Sequence, residues 1–303
     1  MAAMTHAGAE PLGPELTLVR ERRVADLLPA AHPRVLEASG VLVDAGQLYV
    51  IFDNTPDIAV LSPDLDPAGD NRLIAQDPAL PTGYEDIAQD PVTGHRFVLI
   101  EALPRGDGWQ AAVEEFDHAF GHLGSSWLDF ALPSANKGLE GLTCLQRDGE
   151  TYLLGLCEGN LCLSGKAGRT PGGGRIQVFR RGEQHWQQVA TLRLPESLLF
   201  VDYSSLSVRG DEIIVVSQQS SALWVGRLEP DRWDVAGTGV TYGFPRGPAG
   251  DVVYRTVEGV AWLGSRRVVT VSDKDDDKHG RAGGPTGKEQ MVHIFDLDDE
   301  PPA

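Results

Sequence analysis

Five side chains that offer oxygen ligands recur along the chain, each directly before a short apolar segment and at intervals of about 46 to 64 residues. They are Ser39, Glu85, Glu140, Ser204 and Glu258. Three carboxylates at one level of a narrow channel would repel one another, so they would take up protons or share a divalent cation. Five oxygens in a plane suit Ca²⁺, whereas Mg²⁺ prefers an octahedron and Zn²⁺ prefers His and Cys, which this set lacks. The alternative is that these residues end strands and bind channel water.

A second set of polar residues follows the next apolar segment of each repeat. Its members are Asp53, Glu101, Glu158, Gln218 and Asp273. Because the second strand of each repeat runs antiparallel to the first, we expect this set to return to the same mouth of the channel. Glu101, Glu158 and Asp273 are then candidate catalytic residues that would accept a proton from a metal-bound water. Alternatively, they are polar residues at surface strand ends.

Two glycine-rich loops concentrate basic residues in a chain whose net charge is −18. They are GKAGRTPGGGR at 165–175 and DKHGRAGGPTGK at 277–288. Glycine lets backbone amides approach an anion, and the guanidinium group of Arg binds phosphate or carboxylate. The candidate ligand-binding residues are Arg105, Arg169, Arg175, Lys278 and Arg281. The alternative is that these basic residues serve only solubility.

A repeated β-module must position these residues. Each copy contains two apolar segments separated by a turn, and glycine and proline punctuate the chain throughout, which is typical of an all-β fold. We predict a single five-bladed β-propeller, in which the first strand of each blade lines the channel. The remaining strands are predicted at about 56–61, 71–75, 110–116, 125–130, 175–180, 186–192, 222–228, 232–236 and 291–297.

The last module lacks an outer strand, and residues 15–24 (ELTLVRERRV) can supply it. Such pairing of the two ends closes a propeller and removes an open sheet edge. The predicted domain therefore spans 15–298, between disordered tails at 1–14 and 299–303. The segment AAVEEFDHAF at 111–120 is interpreted as a strand rather than a helix.

Composition excludes several classes of function. The acidic balance argues against non-specific binding to nucleic acid, which requires a basic surface. No apolar run approaches the roughly 20 residues of a membrane helix. The N-terminus lacks the features of a secretory signal, and the three cysteines are too few for a disulfide scaffold, so we expect a cytoplasmic protein. Cys157 and Cys162 are interpreted as free thiols, with a disulfide between them as the alternative.

The modules also resemble known families. The phrases EASGVLVDAGQLYVIFDN, NKGLEGLTC, DYSSLSV and TVEGVAWLGSRRVVTVSDKDD resemble the bacterial SdiA-regulated and "esterase-like activity of phytase" propellers over roughly residues 35–275. The order Ser, Glu, Glu, Ser, Glu resembles the calcium-ligand ring of the calcium-activated nucleotidases (apyrases), although the nucleotide-binding loops of that family are not recognisable. The resemblance implies a calcium ring at Ser39, Glu85, Glu140, Ser204 and Glu258.

Two functions follow from these patterns. The first is a calcium-dependent hydrolase of phosphoesters or other anionic esters, in which Arg169 and Arg281 neutralise developing charge. The second is a non-catalytic propeller that binds a ligand or a protein and holds a structural calcium ion. A lactonase-like or sugar-processing enzyme is a third interpretation, but its metal site would usually add His or Asn. No motif of a serine-triad hydrolase, a zinc protease or a P-loop is present.

Overall fold

Twenty β-strands provide nearly all the regular structure of the residues that this computed structural model describes, which are 13–29, 35–81, 83–135, 137–274 and 287–297. The strands fall into five units of four, and each unit is an antiparallel meander. The first unit contains β2–β5, at Ala38–Asp44, Gln47–Phe52, Ile58–Leu61 and Arg72–Ile74. The second contains β6–β9, at Tyr84–Gln89, Arg96–Arg105, Gly108–Phe116 and His122–Asp129. The third contains β10–β13, at Leu139–Arg147, Glu150–Cys157, Arg175–Arg181 and Trp186–Arg193.

The fourth unit contains β14–β17, at Ser205–Arg209, Glu212–Ser217, Ala222–Leu228 and Val235–Gly243. The fifth contains β18–β20, at Val257–Trp262, Arg267–Ser272 and Met291–Asp296, together with β1 at Thr17–Arg23. Two short helices, α1 (Val24–Leu27) and α2 (Gly165–Gly168), complete the regular structure apart from a 3₁₀ turn at Asn160–Cys162. Neither helix is long and apolar enough to cross a membrane.

The first strands of the five units are neighbours in a closed cycle. β2 contacts β6, β6 contacts β10, β10 contacts β14, β14 contacts β18, and β18 returns to β2. Each first strand is also the edge strand of its unit, so the cycle surrounds a channel. The second and third units additionally form one eight-stranded sheet, because β9 and β13 pair in parallel over two residues at their outer edges. The structure is therefore an all-β fold of the propeller type.

Hydrophobic clusters fill the spaces between neighbouring units. In β3, Leu48 and Val50 pack toward the fifth unit, whereas Tyr49 and Ile51 pack toward the second. Because consecutive side chains of a strand point to opposite faces, a strand that is covered on both sides is apolar throughout. This explains why Val, Ile, Leu and aromatic residues predominate in the second strand of every unit, with Gly155 in β11 and Thr270 in β19 as interruptions.

The N-terminal strand closes the fold as the sequence predicts. β1 pairs antiparallel with β20, from Thr17 opposite Asp296 to Arg23 opposite Met291. The strand interpretation of 111–120 is confirmed as far as Phe116. The strand predicted at 232–236 is displaced, because residues 230–233 form a turn that the bond from Glu229 N to Asp234 O (2.9 Å) closes, and β17 begins only at Val235. The predicted tails lie outside the described residues, apart from positions 13 and 14.

Candidate metal centre

The five residues of the predicted ring lie where each first strand departs from regular pairing. Ser39, Glu140 and Glu258 are skipped in the registers of β2, β10 and β18, so each is the extra residue of a β-bulge. In β6 the register shifts between Tyr84 and Ile87, across Glu85. Ser204 donates its backbone N–H to Val216 O (3.0 Å), the residue that Ser205 also faces. A bulge redirects its extra side chain, and here register shifts recur at the corresponding position of four of the five units.

The glycine that follows the bulge in three units is required by close packing at the axis. A Cβ atom on Gly40 would lie 2.8 Å from Asp86 Cα, and one on Gly259 would lie 2.9 Å from Gly40 Cα. These distances leave no room for a side chain, so the sequence repeats Ser-Gly or Glu-Gly at the start of the strand. The first strands therefore converge most tightly directly beside the candidate ligands.

The two serines of the ring use their hydroxyl groups to link neighbouring units. Ser39 Oγ donates to Tyr84 O of the second unit, and Ser204 Oγ donates to Val257 O of the fifth (3.1 Å). Each hydroxyl oxygen retains acceptor lone pairs after donating its proton. The serines thus tie blade-like units together at the level of the carboxylates.

The carboxylates that come closest together are drawn from both predicted sets. Oxygen atoms of Glu101, Glu140 and Glu158 lie within 4.8 Å of one another, a separation at which one cation could bind all three. The carboxyl group of Glu85 also lies within hydrogen-bonding reach of Glu140. Glu140, on the first strand of the third unit, is consequently the centre of the cluster.

The electrostatics of the cluster are those of like charges that Lys137 compensates only in part. Burial raises the pKa of Glu140 well above its usual value, and the carboxylates of Glu85 and Glu101 raise it further. Burial likewise raises the pKa of Glu258, and the charge of Asp273 raises it further. These side chains are nevertheless partly exposed, because they face the channel. Such a group either holds protons or binds a cation.

Glu158 differs from its neighbours in its partners. Its Oε1 atom forms an ion pair with Lys137, while its Oε2 atom is buried and has no hydrogen-bond partner among the described residues. Glu101, by contrast, accepts a hydrogen bond from Gly138 N (2.8 Å). A buried oxygen without a partner is costly, so Glu158 Oε2 marks the place where a ligand would be most stabilising.

The rest of the second set surrounds the same mouth. Burial raises the pKa of Asp53, which lies near enough to Glu85 and Glu258 to raise their pKa values through its charge. Gln218 Nε2 donates a long hydrogen bond to Glu258 Oε1 (3.5 Å). Asp273 stands beside Glu258 and accepts a bond from Thr256 Oγ1 at its backbone oxygen (2.9 Å).

The candidate ligand-binding residues do not all lie at the carboxylate cluster. Arg169 lines a small cavity together with Lys137 and Glu158, so it stands at the cluster. Arg105 instead lies over the ring of Trp127, 4.7 Å from its centroid, and donates to Gln110 Oε1 (2.7 Å). Arg175 donates to Gly174 O (2.7 Å), and burial together with the nearby Arg193 lowers its pKa. Lys278 and Arg281 lie outside the described residues.

The interpretation of Cys157 and Cys162 as free thiols was wrong. The two residues form a disulfide across the loop that follows β11, with Cα atoms 5.2 Å apart, and Cys144 is the free, buried cysteine of the described residues. Three cysteines in 303 residues gave too weak a signal to predict the bond. The expectation of a cytoplasmic location used those thiols and remains a prediction without that support.

Sequence reasoning also missed Asp86, one residue beyond Glu85. Its carboxylate accepts hydrogen bonds from Ile87 N (2.9 Å), Leu142 N (3.0 Å) and Ser205 Oγ (2.8 Å), and so it joins the second, third and fourth units. Val260 N of the fifth unit donates to Ser205 Oγ in turn (3.2 Å). Burial raises the pKa of Asp86, and these donors oppose the increase. The signal was an aspartate where three other units have glycine.

Asp86 and Ser205 directly follow the ring residues Glu85 and Ser204, and their hydrogen bonds link four of the five units. On the side away from the carboxylates, the five first strands line a separate cavity of about 300 Å³. Its walls include Val41, Leu142, Leu206 and Trp262. The hydrogen-bonded pair Asp86 and Ser205 thus forms the floor of the acidic mouth, between the carboxylates and this cavity.

Comparisons with known proteins support the fold and leave the family open. The sequence matches no protein-family model, and the comparison with curated proteins gives no match. The GH43_1 enzyme from Xanthomonas citri, solved with xylose, is similar over 93% of this chain and 90% of its own, with a TM-score of 0.51 and 13% identity. Regucalcin from Agrobacterium tumefaciens, a calcium-binding protein, aligns over 94% and 95% with a TM-score of 0.46 and 10% identity. Glutaminyl cyclase from Myxococcus xanthus aligns over 96% and 100% with a TM-score of 0.48 and 12% identity.

Proposed function

We propose that the five units are the blades of a single propeller spanning residues 15–298, and that the carboxylates at its acidic mouth bind calcium. The closed cycle of first strands and the pairing of β1 with β20 support the blade count. Ligands from all five blades would then be available at one level, as the resemblance to the nucleotidase ring implies.

The observation that carries the proposal is the cluster of Glu101, Glu140 and Glu158, with its unpartnered buried oxygen on Glu158. All ligand atoms here are hard oxygens, and Glu85 and Glu258 can complete a large coordination sphere. Calcium accepts six to eight oxygens in a flexible geometry, whereas Mg²⁺ requires a strict octahedron. Lys137 neutralises part of the excess charge, which leaves a net attraction for a divalent cation.

The reaction we propose is hydrolysis of a phosphoester or another small anionic ester. A bound calcium ion would polarise the substrate oxygen and lower the pKa of a coordinated water. Glu101, Glu158 and Asp273 line the mouth as acceptors for the proton of that water. Arg169 and Lys137 would face the anion, and the floor formed by Asp86 confines the substrate to one side. The resemblance to the phytase-like propellers supports this class of reaction.

A second candidate is a non-catalytic binding propeller with a structural calcium ion. The placement of Arg105 and Arg175 favours it, because both guanidinium groups are engaged away from the cluster and leave fewer cations for an anionic substrate.

The test is hydrolysis of a panel of phosphomonoesters, phosphodiesters and carboxylate-bearing esters, measured with calcium and with a chelator. We expect calcium-dependent turnover that Glu140→Gln abolishes. Glu150→Gln is the matched control, because Glu150 is an exposed residue of the same unit far from the mouth, and its turnover should equal that of the wild type. Calcium binding without turnover of any ester would support the second candidate.

A further inference from the structure

The three clustered carboxylates are not held in the same way. Glu101 lies within β7 and Glu140 within β10, so the paired strand residues on either side of each hold them in the sheets. Glu158 follows the last residue of β11 and lies in a loop. Two backbone hydrogen bonds attach it to neighbouring segments, from Glu158 N to Gly138 O (3.2 Å) and from Tyr203 N to Glu158 O (2.9 Å), so its position depends on these bonds and on what closes the loop.

The disulfide closes the loop directly around Glu158. It joins Cys157, the residue before Glu158, to Cys162 four residues after it. Two consecutive residues in this short ring, Leu161 (φ 57°) and Cys162 (φ 54°), have left-handed backbones without being glycine. Non-glycine residues rarely adopt this conformation unless their surroundings impose it.

The far side of the loop is anchored independently by the buried Asn160. Its Nδ2 atom donates to Gly168 O and Phe200 O (both 3.1 Å), and its Oδ1 atom accepts from Gly173 N (2.9 Å) and Tyr203 OH (3.0 Å). This network attaches the loop to the blade but does not contact the Glu158 side chain. Without the disulfide, only hydrogen bonds hold the segment 157–162, so the segment can relax within them while the blade itself stays folded.

Like-charge repulsion supplies the direction of that relaxation. Glu158 is close enough to raise the pKa of Glu101 and of Glu140 through its charge. In the absence of a cation, the repulsion favours movement of the one carboxylate that is outside a strand. Lys137 pulls on Glu158 Oε1 but leaves Oε2 without a partner.

We infer that the Cys157–Cys162 disulfide is a positioning element that holds Glu158 against Glu101 and Glu140, so that its reduction weakens divalent-cation binding at the mouth. This inference rests on the proposed calcium site. It makes the thiol–disulfide state of the protein a control on that site.

The redox step requires a dithiol as reductant. Its thiolate attacks Sγ of Cys162, which is only partly buried, to form a mixed disulfide, and the bond to Cys157 breaks. The released Cys157 thiolate takes up a proton. The second thiol of the reductant then displaces Cys162, which is protonated in turn, so two electrons and two protons pass to the protein and the dithiol becomes a disulfide. Gln177, which donates to Cys162 Sγ (3.2 Å), is the polar side chain beside this bond.

The experiment is a titration with Tb³⁺, a luminescent surrogate for Ca²⁺. It compares the full chain as the oxidised protein and after reduction with dithiothreitol that is then removed by gel filtration under argon. Displacement by Ca²⁺ gives the calcium affinity. We expect reduction to weaken cation binding by about tenfold or more, which is the usual effect of removing the support of a metal ligand. Reoxidation should restore it, and the cation-free melting temperature should change little because the Asn160 network remains.

Two variants separate this role from general stability. Cys157→Ala with Cys162→Ala should bind Tb³⁺ as weakly as the reduced protein, without any reductant. Cys144→Ala is the matched control and should keep both the wild-type affinity and the response to dithiothreitol, since Cys144 is a free thiol outside the loop.

The outcomes distinguish the two proposals. Equal Tb³⁺ affinity of the oxidised and reduced wild type overturns the positioning role, and so does a fall in melting temperature without a change in affinity. If the oxidised wild type binds neither Tb³⁺ nor Ca²⁺, the calcium site itself is wrong and the positioning role falls with it.

Discussion

Two regions of this molecule bury carboxylates in opposite ways. At the acidic mouth, Glu140 has other carboxylates as neighbours, and its pKa is raised. At the closure of the fifth unit, Glu21 of β1 pairs with Lys288 and contacts His293 Nδ1 (3.1 Å). Burial alone would raise the pKa of Glu21, but His293 and Lys288 outweigh it and lower the pKa to about 2.

The difference between the two regions lies in where the counter-charge comes from. Glu21 carries its counter-charge within the fold, so it fastens the N-terminal strand to β20 and requires nothing further. The mouth has far more carboxylates than cations among the described residues, so it is complete only with protons or a bound ion. A buried acidic group is therefore informative about ligands only after its partners are counted.

The largest expected effect is stabilisation of the mouth by calcium. At a concentration about 1,000 times Kd, the ion should add about 4 kcal/mol to the free energy of unfolding, which corresponds to a rise in Tm of about 6 °C. Differential scanning fluorimetry with and without a chelator measures it. Glu140→Gln should lose the response and Glu21→Gln should keep it. A wild-type melting curve that calcium leaves unmoved would contradict the assignment of the mouth.

Removal of the closure network should come next. We expect Glu21→Gln to lower the free energy of unfolding by about 2–3 kcal/mol, because it removes hydrogen bonds to charged and polar partners and leaves Lys288 without its counter-charge. Urea unfolding under chelation measures this change. Glu15→Gln is a control in the same N-terminal segment, and it should remain within about 0.5 kcal/mol of the wild type. Equal stability of Glu21→Gln and wild type would show that the network does not close the propeller.

The two regions should also respond oppositely to pH. The lowered pKa of Glu21 contributes stability that is present above its ordinary value of 4.5 and is lost as the pH falls toward about 2. The raised pKa values at the mouth do the reverse in the ion-free protein: their contribution is present below 4.5 and is lost as the pH rises. Between pH 4.5 and 3, the wild type should lose about 1–2 kcal/mol more than Glu21→Gln. If the wild type and Glu21→Gln lost stability in parallel as the pH falls, Glu21 would not be the source of the pH dependence.

The smallest effect is expected at the outer edge of the mouth. Asp53 acts on Glu85 and Glu258 through its charge, so Asp53→Asn should weaken calcium binding by about threefold, or roughly 0.7 kcal/mol. Calorimetric titration at low and high salt measures it, and screening should reduce the difference at high salt. A loss as large as that of Glu140→Gln would place Asp53 among the direct ligands.

The sequence predicted the parts of this arrangement that repeat. Five modules with an oxygen-bearing residue before the first strand could be recognised because each has the same geometry. The closing strand could be predicted because the last module lacked an outer strand. The bulges at Ser39, Glu140 and Glu258 share that register, so the ring could be placed at one level from the alignment of modules alone.

The features that occur once could not be predicted in this way. Lys137 and Glu158 lie in separate loops, and only the fold brings them into contact. Asp86 was missed because the repeat pattern pointed to its neighbour Glu85. The disulfide depends on the path of a loop with two left-handed residues, which no short-range pattern encodes. Arg105 contacts Trp127 and not the residues of the mouth. This contact likewise depends on packing, which the residue type alone does not indicate.

The floor made by Asp86 and Ser205 has a consequence for how an ion and a substrate would enter and leave the mouth. If calcium binds at the mouth as proposed, the floor leaves it one opening, the same opening over which a substrate would settle. Loading would then be sequential: the ion would enter first, and a molecule seated above it would delay the ion's departure. Occupancy of the mouth would then be governed by exchange times as much as by equilibrium affinity.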